Sequence, residues 1–156
     1  MTLKQLRIEK ELTQKACAEY LGIPLRTYCR YESDEPKINN IKRQYVFDRL
    51  NAYGAISETQ GILTIEKIKT ISTGILNLYR VDFCYLIGSY AKGNATETSD
   101  VDLLISTTHD ALPTAELAQV LRETLKKKVD LLDTTQLCSN PALLNDILKY
   151  GIKIYG

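Results

Sequence analysis

A chain of 156 residues, 44% hydrophobic and 25% charged, has the size and composition of one ordinary globular domain or two small ones. No apolar run approaches the roughly 18 residues a membrane-spanning helix needs, and the N-terminus has neither an h-region nor a small-residue cleavage site, so a cytoplasmic protein with no membrane role is expected. The net charge of +1 divides unevenly: ten Lys and Arg against seven Asp and Glu up to Ala55 leave +3, and ten against twelve leave −2 in the remainder. That sign pattern suits a basic nucleic-acid reader joined to an acidic, metal-using part.

The four cysteines, Cys17, Cys29, Cys84 and Cys138, form no Cys-x-x-Cys pair and have no neighbouring histidine, so buried free thiols are expected rather than a zinc site. The one histidine, His109, reads as a solvated loop residue after a strand.

In chain order, Leu3, Leu6 and Ile8 begin a helical pattern that ends near Glu11. Thr13 then reads as the N-cap of a helix from Gln14 to Leu21, closed by Gly22 in a left-handed conformation. Ile23-Pro24 opens a third helix, with the proline at its first position, where no amide hydrogen is needed. On that helix Thr27, Tyr28 and Tyr31 face inward, whereas Leu25, Arg26, Cys29 and Arg30 share an outward face suited to a major groove.

The segment from Leu12 to Glu32 resembles the helix-turn-helix of phage-repressor (Cro/CI, or Xre) DNA-binding domains, and the resemblance spans roughly residues 2–53. It implies that Leu25, Arg26, Cys29 and Arg30 read base edges, that Gln14 holds a phosphate, and that the protein binds operator DNA as a homodimer. Two departures are Cys17, where the family prefers a larger aliphatic residue, and Pro24, where Ser or Thr is common. The alternative is a helical bundle used only for dimerisation.

Gly54 to Gly61 interrupts the apolar periodicity with two glycines and polar residues, which places a first domain at 1–54, a linker at 55–61 and a second domain at 62–156. The second begins with a helix to about Tyr79, followed by a strand at Asp82–Ile87, a short helix after Ser89 and a strand at Val101–Ser106. A helix over Thr114–Lys127, a strand at Lys128–Asp133, a helix over Pro141–Lys149 and a strand at Ile152–Tyr155 complete it. This alternation implies an α/β sheet packed by helices.

Gly88-Ser89 and Asp100-Val101-Asp102 sit at the ends of two of these strands. Carboxylates one residue apart can share a metal while a Gly-Ser turn faces them, an arrangement suited to a nucleoside triphosphate. The bland alternative is a pair of exposed carboxylates edging a strand. Alternation puts Asp130 with Leu132 on one face of the third strand, and a charge inside that apolar run is costly unless it coordinates something. Asp133, at the strand's exit, reads as solvated, as does the helix end Lys126-Lys127-Lys128.

Gly88-Ser-Tyr-Ala-Lys-Gly93, Ser99-Asp-Val-Asp-Leu-Leu-Ile105, Val129-Asp-Leu-Leu132 and the ending Ile147–Tyr155 together resemble a minimal nucleotidyltransferase of the DNA polymerase β superfamily, over about residues 62–156. The fold class is therefore an N-terminal all-α helix-turn-helix domain plus a C-terminal polymerase β-like α/β domain. The resemblance implies that Asp100, Asp102 and Asp130 hold two Mg2+ ions, and that Asp130 helps deprotonate the acceptor. Gly88, Ser89 and Lys92 would then bind the phosphates of ATP. Lys92 departs from the arginine of many members, losing bidentate contact. The two resemblances together imply an antitoxin that transfers AMP to a tyrosine of a cognate toxin, often of the HEPN type, and represses its own operon. Two other readings are a non-catalytic regulator or binding antitoxin, and a small-molecule nucleotidyltransferase.

Overall fold

In the computed structural model, which describes residues 1–33, 39–108 and 112–156, the chain separates into two compact units, Met1–Ala55 and Ile56–Gly156. His109 lies outside the described residues.

Capping chemistry sets the helices of the first unit: α1 (Leu3–Glu9), α2 (Gln14–Leu21), α3 (Leu25–Glu32) and α4 (Asn40–Asn51). Thr2 and Gln5 form a capping box at the start of α1, which ends before the expected Glu11, a residue held at φ 55°. The Thr13 hydroxyl accepts the Ala16 amide to open α2, and Gly22 closes it at φ 66°. Pro24 is the N-cap of α3 rather than its expected first helical residue, which is Leu25. Leu3, Leu6, Cys17, Ala18, Tyr28, Val46 and Leu50 form the core, with Tyr31 packed against it. Arg7 ties α1 to α3 by donating from two nitrogens to the Glu32 carboxylate, at 2.8 Å from Nη2 and 3.0 Å from Nε, and from Nη1 to the Leu12 carbonyl at 3.0 Å.

In the second unit α5 (Ile65–Leu78), β1 (Phe83–Ile87), α6 (Gly88–Lys92), β2 (Val101–Ser106) and α7 (Thr114–Leu125) precede β3 (Val129–Asp133), a 3-10 turn (Thr134–Ser139), α8 (Pro141–Tyr150) and β4 (Ile152–Tyr155). The sheet runs β3-β2-β1-β4, with β1 antiparallel to both β2 and β4, and β2 parallel to β3. Strand alternation divides the apolar residues between its faces. Val101, Leu103, Ile105, Cys84, Leu86 and Val129 pack on one side with Ile68 and Leu76 of α5 and Leu117, Leu121 and Leu125 of α7. Ile87, Leu104 and Leu132 pack on the other with Ile147 of α8.

Two expectations change here. Lys127 is not a solvated helix end: it is fully buried, and its Nζ donates to the carbonyls of Glu97, at 2.5 Å, and Gln60, at 3.2 Å. The cause lies one residue earlier, where Lys126 takes φ 58° as the left-handed end of α7 and turns the next side chain inward. Cysteine burial is also mixed: Cys17 and Cys84 are buried, Cys29 is half-buried and Cys138 is exposed, all as free thiols. Residues 56–61 turn back on themselves through a Ser57–Gln60 bridge and join the second unit through an ion pair between Glu58 and Arg122. No helix among the described residues is long and apolar enough to cross a membrane.

Candidate active site

One end of the sheet gathers the residues that the motif singles out. β1 ends at Ile87, which is in register with Asp102 on β2, and Asp102 is in turn in register with Asp130 on β3. Side chains at equal register share a face, so Asp102 and Asp130 stand side by side, and Asp100 immediately precedes β2.

Gly88 follows β1 directly at φ 70°, in the left-handed region. A Cβ there would collide with Oδ2 of Asp102 and lie 3.0 Å from its Cγ. Glycine is thus required twice, once by the backbone conformation and once by the carboxylate seated against it. Ser89 is half-buried in the first turn of α6.

Burial chiefly, then the negative charges of Asp130 and Asp100, push the Asp102 carboxyl up to about 6. Among the described residues, no group of three His, Cys, Asp or Glu side chains forms a ready-made metal cage. The donor set nonetheless fits magnesium, which is held by one or two carboxylates while phosphate and water oxygens complete its shell. A raised carboxyl beside two other carboxylates is a place where positive charge is wanted.

Asp130 is exposed rather than enclosed, because β3 is the edge strand. The burial cost expected to mark it out is therefore absent. Asp133 is not simply solvated: its carboxylate accepts the Thr135 amide and caps the 3-10 turn.

Lys92 leaves α6 exposed, with its ammonium 2.6 Å from Asp146 of α8 and 5.5 Å from the Tyr150 ring centroid, and the Asp146 contact raises its pKa. A cavity of about 250 Å³ opens here, lined by Gly88, Lys92, Asp102, Leu132, Asp146 and Tyr150. A second, of about 470 Å³, lies along β3 and includes Asp102, Asp130 and the α7 residues Thr114, Ala115 and Ala118.

Asp146 was not singled out in the sequence, and Lys127 was read there as a solvated helix end. Asp146 carried a signal: with Leu143, Ile147 and Tyr150 it sits at helical spacing, a lone carboxylate on an apolar stripe. Lys127 acts at a distance from the carboxylates, holding Glu97 in the loop that leads to Asp100.

In the first unit Gln14, Leu25, Arg26 and Arg30 are exposed. Cys29 is half-buried, and its thiol donates to Oε1 of Gln14 at 3.6 Å, linking the middle of α3 to the first residue of α2.

Residues 66–156 match the family model described as polymerase beta, nucleotidyltransferase. Protein adenylyltransferase MntA of Shewanella oneidensis is 32% identical over 82 residues, which cover 51% of this chain and 58% of that protein. Putative protein adenylyltransferase MJ1379 of Methanocaldococcus jannaschii is 36% identical over 73 residues, 44% of this chain and 72% of that protein. Among solved structures, a toxin-antitoxin with AMP-PNP is 27% identical with a TM-score of 0.47, over 56% of this chain and 73% of that one. This chain therefore spans less than two thirds of the MntA protein it matches.

Proposed function

This chain belongs to the polymerase β nucleotidyltransferase family, and on that premise we propose that its second unit transfers AMP from ATP to a hydroxyl of a partner protein. The observation that carries the reading is Gly88 seated against the Asp102 carboxylate, with Asp100 and Asp130 on either side of it in charge. Gly88 and Ser89 bring backbone close to the phosphates, and Lys92, exchanging Asp146 for a phosphate oxygen, neutralises their charge. Asp100, Asp102 and Asp130 would hold magnesium, two ions in all, which when bound supplies the positive charge that offsets the triphosphate.

In the transfer, the acceptor oxygen forms a bond to the α-phosphorus as the bond from that phosphorus to the β-phosphate oxygen breaks. Pyrophosphate leaves with the electron pair, and the acceptor's proton passes to a carboxylate oxygen of Asp130. The acceptor is a tyrosine of a cognate toxin of the HEPN type. The adenylyltransferase relatives, which are named for protein acceptors, support a protein as the acceptor. So does the small second unit, 101 residues from Ile56 to Gly156, which has little material for a dedicated metabolite pocket.

The first unit is an operator-binding domain, in which Arg26 and Arg30 fork onto guanines, Leu25 and Cys29 contact base edges and Gln14 holds a phosphate. The exposed Arg26 and Arg30 on one face of α3 support this. The protein thus serves as an antitoxin that modifies its toxin and represses its own operon as a homodimer. Incubating the toxin with ATP and magnesium tests the enzyme reading: wild-type protein adds AMP, and the Asp100→Asn/Asp102→Asn protein adds none. Undiminished transfer by that variant refutes the assigned site.

A further inference from the structure

We propose that the acceptor residue arrives on an extended polypeptide segment that pairs with the open edge of β3, in register with Asp130; this rests on the protein-acceptor reading above. β3 ends the sheet and is paired only with β2 among the described residues. The Val101 amide donates to the Lys128 carbonyl at 2.8 Å, and in a parallel pair this turns the peptide groups of Asp130 and Leu132 toward β2. By alternation those of Val129 and Leu131 turn outward, where no described residue meets them. The edge is bounded beyond that point, since the Asp133 amide already donates to Oε1 of Gln136 at 2.9 Å.

An unpaired edge is a template for another strand, and proteins ordinarily blunt it with a covering element or a charged side chain. Here the α7 residues that line the cavity of about 470 Å³ along β3 are Thr114, Ala115 and Ala118, none of them large. That cavity is continuous with the reacting carboxylates, because Asp102 and Asp130 line it.

Register then selects the acceptor. Asp102 and Asp130 are in register and share a face, so a strand added about 4.8 Å beyond β3 presents the residue opposite Asp130 on that same face. A tyrosine there can fold its phenol oxygen back over the Asp130 carboxylate, whereas a slip of one residue sends the side chain to the other face. Lys92 and Gly88 lie on the other side of Asp102, in the cavity of about 250 Å³. Acceptor and leaving pyrophosphate are thereby kept on opposite sides, as in-line displacement requires. Main-chain pairing supplies affinity and register supplies selectivity, the usual division in strand addition.

The test uses the full chain and a HEPN-type toxin as the acceptor protein, following initial rates of AMP transfer with ATP binding measured in parallel. Leu131→Pro removes an outward donor without touching the pairing to β2, and proline is tolerated on edge strands. Ala115→Arg fills the groove from an exposed position on α7. Each raises KM for the toxin by about tenfold and leaves the ATP dissociation constant within about twofold, while Leu131→Val behaves as wild type. If Leu131→Pro does not fold, Ala115→Arg decides alone. Wild-type transfer with KM for the toxin unchanged in the folded variants overturns the edge pairing and leaves the transferase reading intact. Wild-type protein that transfers nothing to the toxin overturns both.

Discussion

Asp102 carries a stability cost that its chemistry explains. Its folded-state pKa stands near 6 against an ordinary 3.8, so between those values the metal-free folded protein binds a proton that the unfolded chain has released. Stability therefore falls as pH rises through that window, and the cost persists above it. Asp102→Asn removes the charge: in chelator, urea denaturation at about pH 8 should find the variant more stable by about 1 kcal/mol, after discounting for partial exposure, with the difference gone below about pH 4. A difference independent of pH would contradict this. Lys127 works in the opposite sense. Lys127→Met takes the donor from the Glu97 carbonyl, while the Gln60 carbonyl keeps the Ser57 amide, and should cost about 1–3 kcal/mol in the same measurement, whereas an unchanged midpoint would show the buried ammonium to be unnecessary. The Asp100 and Asp102 pair could be read in the sequence because its spacing is local, whereas the burial argument for Asp130 fails at an exposed edge strand. Lys127 could not be read there, since a run of three lysines reads as solvent-facing until the left-handed turn at Lys126 is known.

The turn from β1 into α6 is the element on which the site depends. Gly88→Ala meets both the left-handed φ and the Asp102 carboxylate, so a loss of at least 100-fold in transfer rate and about 1–2 kcal/mol in stability is expected, measured by AMP transfer and urea denaturation. Retained activity would mean that the turn relaxes away from Asp102. In α3, Arg26→Ala and Arg30→Ala should each weaken operator binding by about 1–3 kcal/mol in a titration of the upstream DNA, with relaxed discrimination at one base pair. Equal binding by the double variant would remove α3 from the DNA contact. The strands of the second unit could be read from apolar runs with period two, but α4 was missed because only Val46 and Leu50 of its 12 residues are buried. Sheet order was likewise hidden. The short connection through α6 returns β2 antiparallel beside β1, whereas α7 carries the chain to a parallel β3, and local patterns do not distinguish these outcomes.

At the scale of the molecule, two compact units carry two different chemistries, one a set of exposed arginines and the other a carboxylate cluster beside a Gly-Ser turn. The charge division of +3 and −2 falls at the same boundary, Ala55, as the two compact units. ATP labelled in turn at the α- and γ-phosphates distinguishes nucleotidyl transfer from any other use of the triphosphate. With magnesium and a HEPN-type toxin as acceptor, label from the α position should appear on the toxin and label from the γ position should leave as pyrophosphate. Label transferred from the γ position, or from neither, would contradict the account.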